Sequence, residues 1–486
     1  MTELRRLAAS VLMPGFVGTT VPDWLERELA GGLAGVCLFG HNIAGSEQVR
    51  LLTDRLHAAR RGVLVASDEE GGTVTRLEAE AGSSWPGHAA LGALDDTDAT
   101  RAVAAGIGAL VRGAGVDLAL APVVDVNSEP DNPVIGVRSF GAGPELVSRH
   151  GAAFVAGLQG AGVAACAKHF PGHGATRTDS HLALPVVDAP AEVFRSRDLA
   201  PFTAAVTAGV RCVMTAHVLV PALDDRPAMM SPVLLRMLRE ELGFTGVVVT
   251  DALDMRAVSH GVGRATGAVR ALAAGADLLC VGNPVFPDPY DDAAAVRELL
   301  DAIVAAVGTG DLPVDRLEEA SHRVAALAAE VADRPATAPV AGCDGVEVAR
   351  RALEVHGDVT LTGEALVLDA QTPVGIAAGQ RESALLTRLR QLRPEWEVAV
   401  VRDADQARAA VAGAGDRAVL LLAEGRPDAT TRACLEQALA VRPDAVVVHG
   451  GPAGTSDHGE RRVHTYGGGR ATAEAVAGLV LEGARA

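Results

Sequence analysis

The stretch Glu145–Gly174, ELVSRHGAAFVAGLQGAGVAACAKHFPGHG, holds one full structural repeat. Glu145–Gly160 spaces its apolar residues at helical intervals. Val163–Ala167 is a short, continuously apolar run. Lys168 then opens a polar segment interrupted by Pro171, Gly172 and Gly174. A helix, a tight turn, a buried strand and a polar loop at the strand's end make up the repeat of a parallel α/β fold.

The same succession extends in both directions. Strand candidates are Ala8–Met13, Gly35–Phe39, Val63–Ser67, Val116–Ala121, Val163–Ala167, Arg211–Thr215, Val247–Thr250 and Asp277–Val281. Helical candidates include Pro22–Leu33, Glu47–Ala59, Ala99–Gly113, Glu192–Ala208, Pro232–Leu242 and Arg256–Ala274, with Asp291–Val307 and Asp315–Val331 closing the series. Eight strands alternating with helices predict a (β/α)8 TIM-like barrel over residues 1–335. The segment Asp333–Gly345, DRPATAPVAGCDG, has the Pro and small residues of a linker, placed at 336–346. Residues 347–486 repeat the α/β pattern, with strands at Ala365–Leu368, Glu397–Val401, Ala418–Leu422 and Ala445–His449. This predicts a smaller, doubly wound α/β domain after the barrel.

Bulk composition excludes several classes. Aromatics make up only 3% of the 486 residues, so the core is aliphatic. The net charge of −18 and the absence of a basic run argue against nucleic-acid binding. No uninterrupted apolar run reaches membrane-spanning length. Arg5 and Arg6 before an apolar stretch mimic a signal peptide, but Pro14 and Gly15 interrupt it, and a first strand is the better reading. The six scattered cysteines form no metal or redox motif and read as small buried hydrophobes in a reducing, cytoplasmic setting.

Ionisable residues gather where strands end: Asp68 after the third, Asp125 after the fourth, Lys168, His169, His173, Asp179 and His181 after the fifth, His217 after the sixth and Asp251 after the seventh. In a barrel that end carries the active site. The His-rich segment has three readings: a metal site, disfavoured by Lys168; a solvated loop; or an acid/base pair in which Asp179 orients His181. Asp251 reads equally as a nucleophile or as the cap of the next helix. The run Asp68-Glu69-Glu70 is either solvated or, at Asp68, turned into the mouth; Arg76 follows it. Arg138 stands alone in an otherwise apolar loop.

Together these motifs resemble the β-N-acetylglucosaminidases of glycoside hydrolase family 3. Lys168-His-Phe-Pro-Gly-His-Gly174 followed by Asp179-Ser-His181 is similar to the family signature. So, in order, are Asp68-Glu-Glu-Gly-Gly72, Ala121-Pro-Val-Val-Asp-Val126, Val134-Ile-Gly-Val-Arg-Ser-Phe140 and Thr250-Asp-Ala-Leu-Asp-Met255. The resemblance implies Asp251 as nucleophile, His181 as general acid/base with Asp179 its partner, and Asp68, Arg76, Arg138, Lys168 and His169 as holders of the sugar hydroxyls. It implies no metal and no cofactor, and it implies a retaining exo-hydrolase acting on N-acetylglucosamine-containing oligosaccharides from peptidoglycan or chitin. Because an imidazole gains no negative charge on deprotonation, phosphorolysis is an alternative, as is a different β-sugar. A silent sugar-binding protein and a metal-dependent hydrolase are the readings from other classes. Glu69 and Asp254 depart from the family pattern, the latter expected on the helix surface.

Overall fold

In the computed structural model, residues 2–333, 342–370, 383–455 and 457–482 are described. The chain divides into two compact units. The first comprises Met1–Glu70, Thr100–Ile135 and Ala142–Ala341; the second comprises Gly71–Ala99, Gly136–Gly141 and Gly342–Ala486.

The first unit is built on eight strands: β1 (Leu12–Met13), β2 (Gly35–Leu38), β3 (Leu64–Ser67), β4 (Leu118–Ala119), β5 (Ala164–Phe170), β6 (Cys212–Thr215), β7 (Val247–Thr250) and β8 (Leu279–Cys280). Strands β2 to β7 form a curled parallel sheet in sequence order, and β1 pairs in parallel with β8. Val249 bridges Leu278, and the Cys37 N–H reaches the Pro14 carbonyl at 2.9 Å. Although the strands are apolar along most of their length, their side chains still alternate. Leu64, Ala66, Ala164, Cys166, Cys212, Met214, Val247 and Val249 share one core cluster with Met13, Cys37, Leu118 and Cys280. The four cysteines of these strands are buried and free, the small apolar fillers expected.

Element boundaries differ from the sequence expectation for local reasons. Ala8 and Ala9 end a helix, Glu3–Ala9, whose N-cap Thr2 accepts the Arg5 N–H, so β1 is shorter than Ala8–Met13. The single helix expected over Glu192–Ala208 is two, Ala191–Arg197 and Ala200–Thr207, because Pro201 cannot donate to the Arg197 carbonyl. Arg256–Ala274 is likewise split, with Gly263 at φ +83° between Arg256–Ser259 and Arg264–Ala274. Pro232–Leu242 relaxes into a π turn at Met237–Glu241. β5 extends to Phe170, so Lys168 and His169 are strand residues and not the start of a loop.

The second unit carries β9 (Glu354–His356), β10 (Ala365–Ala370), β11 (Glu397–Val401), β12 (Ala418–Ala423), β13 (Val446–His449) and β14 (Arg461–His464). The sheet order is β11-β10-β12-β13-β14-β9, parallel except for the β14–β9 pair. Alternate residues feed two cores, one with helices Ala384–Leu392 and Arg470–Glu482, the other with Ala404–Ala412 and Ala429–Val441. β9 and β14 were not anticipated: EVH and RRVH are short and charged, as suits a strand at or beside a sheet edge. Helix His88–Leu94 belongs to this unit and packs Ala89 and Ala90 against Ala352 and Tyr466. Residues 334–341 of the predicted linker lie outside the described residues, and helix Gly345–Ala352 begins within the linker's last two positions. Among the described residues, no helix is long and apolar enough to cross a membrane.

Candidate active site

Parallel strands deliver side chains to a common rim at their C-terminal ends. In the first unit this rim carries Asp68 and Glu70 beyond β3, Asp125 beyond β4, Lys168 and His169 at the end of β5, His217 beyond β6 and Asp251 beyond β7. Lys168 is 2% exposed, and its Nζ lies 2.8 Å from both Asp68 Oδ1 and Glu70 Oε1. The acidic run is therefore not solvated: Glu69 and Glu70 are buried, and Glu70 is a member of the site that the sequence reading passed over.

Asp125 organises the neighbouring strand end. Its Oδ2 accepts from His169 Nδ1 at 2.7 Å and its Oδ1 from the His173 N–H at 2.6 Å. Burial pushes this carboxyl up, but His169 and His173 outweigh it and hold the group ionised below its ordinary value. With Nδ1 engaged by Asp125, His169 presents Nε2. His173 is a structural residue: its ring nitrogens meet Thr176 Oγ1 at 2.7 Å and Ser180 Oγ at 3.0 Å, and burial lowers its pKa to about 4, so it is neutral. Asn132 ties in the preceding loop through the His173 carbonyl at 2.8 Å. Gly174 packs so closely that an added Cβ would stand 1.9 Å from the Val126 carbonyl oxygen.

Asp179 and His181 form the expected pair. Asp179 Oδ1 accepts both the His181 backbone N–H at 2.9 Å and Nδ1–H at 2.7 Å. Burial raises the Asp179 carboxyl, and the His181 ring and amide more than reverse that shift. This fixes the tautomer and leaves Nε2 as the ring nitrogen that Asp179 does not hold.

Asp251 does not cap the next helix, whose N-cap is Met255. Its backbone N–H bonds the Thr215 carbonyl at 3.0 Å and its Oδ1 accepts the Ala252 N–H at 2.8 Å. Burial raises its pKa, but His217, His169 and His181, with the Ala252 amide, outweigh burial and hold the carboxyl below the ordinary value. His217 is buried and donates its Nε2–H to the Ala252 carbonyl, 2.8 Å away. Burial lowers its pKa, opposed by Asp251. Asp254 is turned inward, contrary to the expectation that it lies on a helix surface: its Oδ2 accepts the Asn283 N–H at 2.7 Å.

The site thus assembles Asp68, Lys168, His169, Asp179, His181 and Asp251 within the first unit. Arg76 and Arg138 belong to the second unit, where Arg138 is buried at the end of the turn Gly136–Arg138. Among the described residues, no three His, Cys, Asp or Glu side chains are grouped so as to hold a metal ion. One signal in the sequence went unread. Lys168 is the only lysine in the chain, every other long cation being arginine. A chain that uses Arg everywhere else keeps Lys where a compact ammonium between two carboxylates is required.

Residues 15–327 match the glycosyl hydrolase family 3 N-terminal domain. A β-hexosaminidase A of Pseudoalteromonas piscicida is 34% identical over 363 residues, 70% of this chain and 60% of its own length. A β-hexosaminidase of Stenotrophomonas maltophilia (strain K279a) is 38% identical over 321 residues, 63% of this chain and 94% of its own. A family 3 β-N-acetylglucosaminidase from Paenibacillus sp. str. FPU-7 superposes with a TM-score of 0.84 at 30% identity, covering 100% of this chain and 98% of that one. The rim of ionisable side chains described above falls within the matched span, and the chain belongs to glycosyl hydrolase family 3 and is a glycoside hydrolase.

Proposed function

We propose that this protein is a retaining exo-β-N-acetylglucosaminidase that removes terminal N-acetylglucosamine from peptidoglycan fragments or chitin oligosaccharides in the cytoplasm. The observation that carries this reading is the Asp179–His181 bond at 2.7 Å, in electrostatic reach of an ionised Asp251. The β-hexosaminidase relatives support the sugar.

In the first step the Asp251 carboxylate attacks the anomeric carbon, the glycosidic C–O bond breaks, and His181 gives its Nε2 proton to the leaving oxygen. Asp179 stabilises the imidazolium that precedes this transfer. In the second step neutral His181 takes a proton from water, whose oxygen attacks the anomeric carbon and releases Asp251. Asp68, Lys168 and His169 hold hydroxyls, and the family resemblance assigns Arg76 and Arg138 to the same task. We further read the eight strands as a closed (β/α)8 barrel over residues 1–335, supported by the β1–β8 pairing and the Val249–Leu278 bridge, with the α/β domain at 347–486.

The test is hydrolysis of p-nitrophenyl N-acetyl-β-glucosaminide with and without phosphate, with NMR of the first-formed anomer. Phosphate-independent release of β-N-acetylglucosamine is expected, and Asp251→Ala should lose at least about 10³-fold in kcat while keeping its melting temperature. Formation of sugar 1-phosphate would replace the hydrolase with a phosphorylase; turnover by Asp251→Ala would remove the nucleophile assignment.

A further inference from the structure

Asp254 takes no part in the reaction above, yet its surroundings are built around it. Its carboxyl lies flat on Gly282, where an added Cβ would stand 2.1 Å from Cγ and Oδ1 and 2.3 Å from Oδ2. Gly282 has φ +118°, so a residue with a side chain is excluded there on both counts. The Asn283 N–H donates to Asp254 Oδ2 at 2.7 Å, and Asn283 Oδ1 in turn accepts the Val285 N–H at 3.0 Å. The Asp254 and Leu253 N–H groups bond the Val281 and Cys280 carbonyls at 3.2 and 3.0 Å. Further along, Asp288 accepts two bonds from Arg256 at 2.8 and 2.9 Å. The loop after β8 is therefore fastened to the segment that follows the nucleophile at both of its ends.

We propose that Asp254 is a positioning residue that locks the loop after β8 to the nucleophile segment. The inference rests on the roles given to Asp251 and His181 above. The titratable and charged groups facing Asp254 are Asp251 on its own segment, His181 from the loop after β5, Arg264 from helix Arg264–Ala274, and Cys280 and Tyr290 from β8 and its loop. Burial pushes the Asp254 carboxyl up to about 7; the Asn283 amide, His181 and Arg264 oppose the rise and Asp251 adds to it.

The experiment compares the full-length protein with Asp254→Asn, which keeps an oxygen acceptor for Asn283 but cannot ionise, and Asp254→Ala, which keeps neither. Carboxyl ¹³C NMR of aspartate-labelled protein, which needs no substrate, should show a titration near neutrality that is missing in Asp254→Asn. With p-nitrophenyl N-acetyl-β-glucosaminide, Asp254→Asn, which retains the acceptor for the Asn283 N–H, should keep kcat within about threefold of the wild type. Asp254→Ala should lose about tenfold or more in kcat at every pH with KM little changed. A loss in Asp254→Asn as large as that in Asp254→Ala, or an unchanged kcat in Asp254→Ala, would overturn the proposal. A wild-type protein that titrates near neutrality but does not turn over the glycoside would instead overturn the functional reading, so the two failures are separable.

Discussion

Lys168 offers the sharpest test of how the site is held together. Its ammonium stands 2.8 Å from the Asp68 and Glu70 carboxylates in a setting where the lysine side chain is 2% exposed and that of Glu70 1%. Replacing it by Met keeps the volume and removes the charge. Two carboxylates then share a buried site without their common cation, and breaking a buried pair in this way costs about 3–5 kcal/mol. Each kcal/mol moves the melting temperature of a 150–250-residue unit by roughly 2–4 °C and that of a larger one by less, so at about 2 °C per kcal/mol a fall of about 6–10 °C is expected. The deficit should shrink in acid, where protonation of one carboxylate removes the repulsion. Lys168→Arg restores the charge but brings a planar, larger head into a space shaped for an ammonium. It should recover much of the melting temperature and little of the activity, with kcat/KM down by about 10²-fold or more. Calorimetry at two pH values and steady-state kinetics on all three proteins supply the comparison. If Lys168→Met melts within 2 °C of the wild type, or Lys168→Arg turns over normally, the buried ammonium is not the organising charge of this site.

Three further outcomes follow from neighbouring contacts. Asp125→Asn swaps an acceptor for a donor facing His169 and the His173 N–H, so kcat/KM should drop about 10²-fold; an unchanged value would show that His169 is positioned otherwise. Gly174→Ala drives a methyl to within 1.9 Å of the Val126 carbonyl oxygen, and the backbone shift it forces should cost about 1–3 kcal/mol in a thermal melt and at least about tenfold in kcat. At the N-terminal end of the strands, His57 lies 2.9 Å from Asp117, which raises the imidazole pKa through the hydrogen bond, against the effect of burial. A raised pKa means that the stabilisation is complete below the unfolded value of about 6.5 and is lost as pH rises through the folded value. The melting-temperature gap between the wild type and His57→Asn should therefore narrow between pH 5.5 and pH 9; a gap that stays constant would count against the ion pair.

What could be read without coordinates divides along physical lines. Strands buried on both faces write continuous apolar runs into the sequence, and all eight of the first unit were located from those runs. Their limits were less legible where function intrudes. β5 ends in Lys168, His169 and Phe170, and a strand whose last turn carries a lysine and a histidine looks like a loop because polarity is the usual mark of one. In the second unit, β9 and β14 escaped notice for the converse reason: an exposed or edge-adjacent strand has no apolar run to betray it. The catalytic candidates were legible because each follows a strand end, which is a statement about chain order. The residues that hold them were not, because they act across the sheet. Asp125 meets His169 and His173 across 44 and 48 residues of sequence, and Glu70 meets Lys168 only because β3 and β5 send side chains to one rim. Asp254 shows the limit most clearly. A carboxylate three residues after Asp251 belongs on a helix surface by helical spacing, but the chain does not become helical until Arg256. In the turn before that point, Asp254 faces inward onto Gly282, a glycine whose significance lies in a contact 28 residues away and in no local pattern.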